Sequence, residues 1–136
     1  DRCGGWMYQV KAGATTTWER WDALQPDGTV NESKMSGDNM VSFNHYSFGS
    51  VGKFYYQYIL GIKPVEPGFK KIKIQPHIDD RIGCFSGSYK DIRVSYDGEK
   101  LHVTTPTEAT IVLPDGAVHE VNAGTYEYSV KEKANE

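Results

Sequence analysis

The chain has 136 residues, about one domain's worth, and a formal net charge of −3 with acidic and basic residues interspersed. Without a basic stripe it is not a candidate nucleic-acid binder, and no apolar run approaches the roughly 18 residues of a membrane-spanning helix. Cys3 and Cys84 are too few for a disulfide framework, and no Cys or His spacing is typical of a metal site. We therefore predict two free thiols, no metal and no cofactor. The location stays open between periplasmic, secreted and cytoplasmic.

The first half of the chain is rich in aromatic residues and glycine. Its start at Asp1, without an apolar leader, predicts the tail of a longer polypeptide. Short helices are compatible with residues 5–12 or 16–24, although β-branched threonines at 15–17 disfavour the second. Residues 25–40, rich in Asp, Gly, Asn and Ser, are predicted to form a mobile loop.

A longer helix is predicted over residues 48–60, with Ser47 as its N-cap and Gly61 as its end. Apolar side chains recur there at spacings of three and four, which predicts an amphipathic helix with one aromatic stripe. The stripe consists of Phe48, Val51, Tyr55, Tyr58, Ile59 and Ile62.

After Pro64 the sequence changes to short runs in which apolar and polar residues alternate, as in half-buried strands. Asp97-Gly98 predicts a tight hairpin turn, and residues 114–116 predict a second one. At least six short strands indicate an antiparallel β-sandwich, so the predicted fold class is α+β. The strands are expected around residues 72–75, 92–96, 101–104, 111–113, 118–121 and 125–130.

Glu19 lies between two indoles, Trp18 and Trp21, in the segment Gly-Ala-Thr-Thr-Thr-Trp-Glu-Arg-Trp-Asp at residues 13–22. Flat indole surfaces can stack on a sugar ring or close a pocket around one. The alternative is ordinary packing of both indoles, with Glu19 paired to Arg20 or another cation. The residues by themselves leave both interpretations open.

This segment is followed by Asn-His-Tyr-Ser-Phe-Gly-Ser-Val at residues 44–51, and then by Pro-Gly-Phe-Lys-Lys-Ile at residues 67–72. The order and the amino-acid sequences of these motifs resemble the C-terminal end of bacterial α-L-rhamnosidases. Those enzymes are inverting glycoside hydrolases built on an (α/α)6 barrel. The resemblance covers about residues 5–114. Because such a barrel needs roughly two or three times the length of this chain, it implies that residues 1–63 finish a barrel and residues 64–136 form a C-terminal β-sandwich domain.

The resemblance also implies roles for individual residues. The glutamate of the Trp-Glu-Arg-Trp motif corresponds to Glu19 and is the general base of those enzymes, and the histidine corresponding to His45 binds the sugar. Trp21 is the preferred pocket indole and Trp18 the second candidate. The general acid belongs to an earlier motif that this chain does not contain, and neither Asp22 nor Glu32 replaces it convincingly.

Several consequences follow for function. We expect the whole enzyme to remove terminal α-L-rhamnose from glycosides or polysaccharides, and we expect this chain alone to be inactive. Its partners would be the rhamnose-containing substrate and the upstream part of the barrel; aromatic surfaces left without that barrel would favour self-association. The alternative function is a non-catalytic carbohydrate-binding or structural β-sandwich module, using aromatics such as Phe85, Tyr89, Tyr96, Tyr126 and Tyr128.

Overall fold

The computed structural model describes residues 4–31 and 41–130 of the chain. They form two compact units, Asp1–Val51 and Gly52–Glu136. No helix in the described ranges is long and apolar enough to cross a membrane. The predicted domain division at residue 63 remains a prediction; the compact units part earlier because the end of the long helical segment packs on the strand region. There Leu60 joins the strand core, and the His77 N–H donates to the carbonyls of Tyr58 and Ile59.

The first unit contains a short helix, α1, at Trp6–Lys11, which confirms the helix predicted over residues 5–12. Residues 16–24 are not helical but run through bends and turns, as the β-branched threonines suggested. Leu24 and Val30 pair as an isolated antiparallel bridge. Among the described residues of this unit, Trp18 and Ala23 are the buried apolar ones, at 4 % and 0 % exposure.

The predicted long helix is present but changes type along its length. A 3-10 turn at Ser47–Ser50 leads into α2 at Val51–Phe54, and this continues as a π-helix at Tyr55–Ile59. Gly61 ends it with φ +68°, as predicted. Ser47 is not the N-cap: it is the first helical residue, and its hydroxyl lies 3.0 Å from Nδ1 of His45 instead of capping the helix.

The second unit is a sandwich of two four-stranded sheets with strand orders β1-β2-β6-β7 and β3-β4-β5-β8. A 3-10 turn at Pro67–Phe69 lies between β1 and β2. The strands are β1 Ile62–Pro64, β2 Lys71–Ile74, β3 Phe85–Tyr89, β4 Ile92–Tyr96, β5 Lys100–Thr105, β6 Glu108–Val112, β7 Val118–Val121 and β8 Gly124–Ser129.

This sandwich confirms the predicted α+β class and both predicted hairpins, β4–β5 and β6–β7. All described pairings are antiparallel except one: β2 pairs with β6 in parallel, with Ile72 opposite Ala109. One apolar core joins the two sheets, because inward residues of β2, β4, β5 and β6 belong to a single cluster. Its fully buried members include Ile72, Ile74, Ile92, Leu101 and Ile111.

Candidate active site

Glu19 is held by two hydrogen bonds to the backbone of Ser42, one through its own main chain and one through its carboxylate. The Glu19 N–H donates to the Ser42 carbonyl at 2.9 Å, and the Ser42 N–H donates to Oε2 of Glu19 at 2.8 Å. The side chain is half-buried. Within the described ranges, no donor contacts the other carboxylate oxygen, Oε1. One oxygen is therefore fixed in place while the second is available to a proton.

The neighbouring cation does not neutralise Glu19. Nε of Arg20 lies 3.6 Å from Oδ1 of Asp22, and its terminal nitrogen donates to the Asn31 carbonyl. Nδ2 of Asn31 donates to Oδ2 of Asp22 at 2.6 Å. Among the described residues, Arg20 therefore pairs with the carboxylate of Asp22, and not with Glu19 as the packing alternative had considered.

Asp22 takes part in a local network: its Oδ2 accepts from Nδ2 of Asn31, and its Oδ1 lies within ion-pair distance of Nε of Arg20. Glu32, the other acid considered, lies outside the described residues. Of Glu19 and Asp22, Glu19 is the carboxylate that has no cation within ion-pair distance among the described residues.

Hydrogen bonds join the Glu19 segment to the His45 segment. The His45 N–H donates to the Thr17 carbonyl at 2.8 Å, and the Thr17 hydroxyl donates to the His45 carbonyl at 2.6 Å. The Thr16 hydroxyl donates to the carbonyl of Phe43. Together with the Glu19–Ser42 pairing, these bonds hold residues 16–19 alongside residues 42–45. The structure thus brings together the two segments that carry the predicted base and the predicted sugar-binding histidine.

The surroundings of His45 select one tautomer of its neutral ring. Nδ1 accepts from the Ser47 N–H at 3.3 Å, and the Ser47 hydroxyl lies 3.0 Å from the same nitrogen. A backbone N–H can only donate, so the proton of a neutral imidazole must be on Nε2. The ring is half-buried and stacks on Tyr46 with a centroid distance of 5.0 Å. His45 can therefore present an Nε2–H donor to a hydroxyl group.

The two indoles have different environments. Trp18 is 4 % exposed, and its ring makes edge contacts with Phe43 at 5.2 Å and Tyr8 at 6.3 Å. The main-chain N–H of Trp18 donates to the side-chain amide oxygen of the buried residue Gln9 at 3.2 Å. These contacts favour the packing alternative for Trp18, so that it supports the segment on which Glu19 lies.

Trp21 is half-buried and stacks on Phe48 with centroids 4.0 Å apart and an interplanar angle of 23°. Trp6 meets it edge-on at 4.7 Å. The stack holds the Trp21 ring in one orientation while part of it stays accessible. Of the two indoles, Trp21 thus better suits a pocket-lining role.

Ser42 and Thr17 were not anticipated as site residues. The run of threonines at 15–17 signalled only a poor helix, and nothing in a single sequence pairs it with residues 42–45, because that register is set by non-local contacts. Among the described residues, no group of three His, Cys, Asp or Glu side chains is arranged to hold a metal ion.

Residues 1–59 match the bacterial α-L-rhamnosidase six-hairpin glycosidase domain, and residues 61–127 match the bacterial α-L-rhamnosidase C-terminal domain. An α-L-rhamnosidase from Alteromonas sp. (strain LOR) is 37 % identical over 88 % of this chain. The chain spans only 13 % of that relative's length.

Solved structures of α-L-rhamnosidases also superpose on this chain. The α-L-rhamnosidase of Aspergillus terreus superposes with a TM-score of 0.82 and 34 % identity, over 96 % of this chain and 16 % of its own. The Streptomyces avermitilis α-L-rhamnosidase, crystallised with L-rhamnose, gives a TM-score of 0.80 and 28 % identity over 96 % of this chain and 15 % of its own. With both domain types matched in order along the sequence, the chain belongs to the bacterial α-L-rhamnosidase family and corresponds to its C-terminal part.

Proposed function

We propose that this chain supplies the general base of an inverting α-L-rhamnosidase, and that the base is Glu19. The observation that carries the proposal is the state of its carboxylate: Oε2 accepts from the Ser42 N–H at 2.8 Å, and Oε1 has no donor among the described residues. A general base needs this combination of a fixed position and a free oxygen.

The proposed reaction is a single displacement at the anomeric carbon of a terminal rhamnose. Oε1 of Glu19 takes a proton from water while the water oxygen attacks from the face opposite the leaving group. A carboxylic acid on the other side protonates the departing glycosidic oxygen. In inverting enzymes the two carboxyl groups stand roughly 6.5–9.5 Å apart, which leaves room for the water.

His45 and Trp21 are proposed to bind the sugar. Nε2–H of His45 would donate to a rhamnose hydroxyl, because Nδ1 is already occupied by Ser47. The accessible part of the Trp21 ring would contact an apolar face of the pyranose. Trp18, buried against Phe43 and Tyr8, is proposed to keep Glu19 in place beneath the sugar.

The general acid is proposed to come from the part of the enzyme that precedes these residues. Asp22 is engaged by Arg20 and Asn31, so the described chain supplies one carboxylate of the pair. We therefore expect the 136-residue chain by itself to hydrolyse no aryl α-L-rhamnoside. Turnover by the purified chain that Glu19→Gln abolishes would contradict this expectation.

The decisive test compares Glu19→Gln with Asp22→Asn in the full-length enzyme. Gln keeps the acceptor for the Ser42 N–H but cannot take a proton, so kcat is expected to fall roughly 10²–10⁴-fold with little change in KM. Asp22→Asn makes the same chemical change three residues away and is expected to leave kcat within a few-fold of the original.

The stereochemistry of the first product tests the inverting mechanism independently. Proton NMR of an early reaction mixture should show β-L-rhamnose forming before mutarotation equilibrates the anomers. An α-anomer formed first would exclude a base that activates water for direct displacement. Activity unaffected by Glu19→Gln would exclude Glu19 as the base, whichever anomer forms.

The alternative, a sugar-binding module using the aromatics of the strand region, receives limited support from their positions. Phe85, Tyr126 and Tyr128 pack against the apolar core, and Tyr96 is 7 % exposed. They therefore do not form an open platform. Tyr89 differs, because it is 37 % exposed and belongs to a cavity within the second unit.

A further inference from the structure

A cavity of about 340 Å³ lies within the second unit, distinct from the residues around Glu19. Ile62 and Pro64 of β1 contribute an apolar part of its lining, and Tyr56, Phe69 and Tyr89 contribute aromatic rings. Lys53 and Gln57, one helical turn apart, add the polar groups. This volume falls in the range of small-ligand sites, and a lining of aromatic surface with a few polar groups is typical of them.

The three aromatic rings support one another. Tyr56 meets Tyr89 edge-on with centroids 6.0 Å apart, and Phe69 lies 5.0 Å from Tyr89 at an interplanar angle of 37°. Tyr56 is 43 % exposed. Rings held in fixed mutual orientation with exposed area lose little conformational freedom on binding, so they are prepared to stack on a flat ligand surface.

The backbone at this cavity is strained. Among the described residues, the two non-glycine residues with positive φ are Phe69, at +60°, and Lys90, at +52°. One lines the cavity and the other follows the lining residue Tyr89. Left-handed backbone is unfavourable for residues with a Cβ and concentrates at ligand-binding positions. Lys90 is the first residue of the two-residue β3–β4 turn, where positive φ is common, so the unusual backbone conformation at the cavity is that of Phe69.

Two lysines lie in or beside the cavity, although the whole chain carries a net charge of −3. Lys53 is the charged residue of the lining, and Nζ of Lys90 lies 5.7 Å from the Phe69 centroid and 5.8 Å from the Tyr89 centroid. None of the described residues that line the cavity carries a carboxylate. The site is therefore complementary to an anionic ligand with a ring that can stack.

We propose that this cavity binds a carboxylate-bearing pyranose, a uronic acid unit of a glycan, with its ring against Tyr56 and Tyr89 and its carboxylate facing Lys53. Gln57 supplies a donor and an acceptor for the sugar hydroxyls. The site is a non-catalytic glycan-binding site, and it does not depend on Glu19 or on the hydrolysis proposed above.

The test uses a matched pair of ligands, an α-1,4-linked galacturonic acid trimer and its methyl ester. The two differ in charge and otherwise keep the same pyranose rings. Binding to the ¹⁵N-labelled 136-residue chain is followed by NMR at the Gln57 side-chain amide and the backbone amides of Tyr89 and Lys90. We expect saturable shifts with the acid trimer and roughly fivefold weaker binding of the ester, as for an exposed ion pair.

Neighbouring residues provide control variants. Tyr56→Ala is expected to weaken trimer binding at least about tenfold through loss of stacking, whereas Tyr55→Ala, which changes an exposed tyrosine outside the lining, leaves it unchanged. Lys53→Gln is expected to equalise the acid and the ester. Lys63→Gln keeps the preference, because alternation along β1 directs Lys63 away from Ile62 and Pro64. Dispersed amide spectra establish that each variant is folded.

Specific results would overturn the proposal. They are the absence of saturable shifts, equal affinity for acid and ester in the unmodified chain, and binding unaffected by Tyr56→Ala. The same titration by calorimetry on the full-length enzyme must also respond to Tyr56→Ala. Trimer binding lost in Glu19→Gln would place the ligand in the Glu19 site and overturn this proposal, whereas loss of hydrolysis alone in that variant leaves it intact.

Discussion

Thr17 links the two halves of the candidate active site through one hydroxyl group. That hydroxyl donates to the His45 carbonyl at 2.6 Å, while the Thr17 carbonyl accepts from the His45 N–H. Thr17→Val keeps the shape of the side chain and removes the donor. A neutral hydrogen bond contributes about 1 kcal/mol, so we expect KM of the full-length enzyme for an aryl α-L-rhamnoside to rise about fivefold as His45 loses its position, with a smaller change in kcat.

Steady-state kinetics check this prediction, and Thr15→Val is the control because Thr15 is an exposed residue of the same threonine run. Equal KM values for Thr17→Val and the unmodified enzyme would show that the hydroxyl does not position His45. An equal rise for Thr15→Val would show that the effect is not specific to the link.

Asp97 at the β4–β5 turn predicts a pH-dependent contribution to stability. Its Oδ1 accepts from the N–H groups of Lys100 and Glu99, and His102 faces its Oδ2 at 3.2 Å. These contacts, with the Lys100 N–H first, lower the pKa of Asp97 to about 2. Because the folded pKa is depressed, the contribution is fully present above the unfolded pKa, near 3.8, and is lost as the pH falls through about 2.

We therefore expect Asp97→Asn to lower the thermal midpoint at pH 7, and the gap from the unmodified chain to close between about pH 4 and pH 2. The groups around Asp97 carry further charge, because Glu127 also faces His102 and pairs with Lys100. Asp91→Asn, an exposed residue of the β3–β4 turn, is the control. A gap between Asp97→Asn and the unmodified chain that persists at pH 2 would mean that the carboxylate charge is not its cause.

At the scale of elements, sequence patterns correctly predicted the turns and helix ends whose conformation depends on a few neighbouring residues. The Asp97-Gly98 hairpin and the Gly61 helix end depend on backbone conformations that glycine adopts readily. Strand β3, Phe-Ser-Gly-Ser-Tyr, was missed because it has no clear apolar alternation. The assignment of Ile62 to the helical stripe was wrong, because the helix ends at Gly61 and Ile62 begins the three-residue strand β1. The parallel β2–β6 pairing joins segments more than thirty residues apart, which no local pattern specifies.

Gly61 is expected to tolerate no side chain. It has φ +68°, and a Cβ there would lie 2.0 Å from the backbone carbon and oxygen of Gln75, whose N–H donates to the Gly61 carbonyl. Gly116 also has positive φ, at +93°, but nothing lies within 4 Å of its would-be Cβ. Gly61→Ala therefore combines backbone strain with a clash against main chain that cannot move aside, whereas Gly116→Ala meets only the strain.

Urea unfolding of the two variants separates these effects. We expect Gly116→Ala to cost about 1–2 kcal/mol and Gly61→Ala more than about 3 kcal/mol, enough to leave the second unit largely unfolded. Equal losses in the two variants would show that the contact with Gln75 relaxes at little cost.

At the scale of the whole molecule, the two units differ in how completely they bury their apolar residues. The second unit closes one core between its sheets. The first buries Trp18 and Ala23 but leaves Trp6, Met7 and Val10 at 42 %, 59 % and 62 % exposure. The chain spans only 13 % of the length of the Alteromonas relative, so we propose that the exposed face of α1 packs against other parts of the longer protein.

That exposed face leads us to expect the isolated chain to self-associate, because contiguous apolar surface on a free chain is covered by another copy when nothing else covers it. Sedimentation velocity at several concentrations should show a larger species that grows with concentration.

Met7→Lys with Val10→Lys places two charges one turn apart on α1 and is expected to shift the chain to monomer. Val118→Lys removes an equally exposed residue, at 59 %, from β7 in the second unit and should leave association unchanged. A monomer at all concentrations would mean that the first unit covers its aromatic residues without a partner, and loss of association in Val118→Lys would place the contact on the sandwich instead.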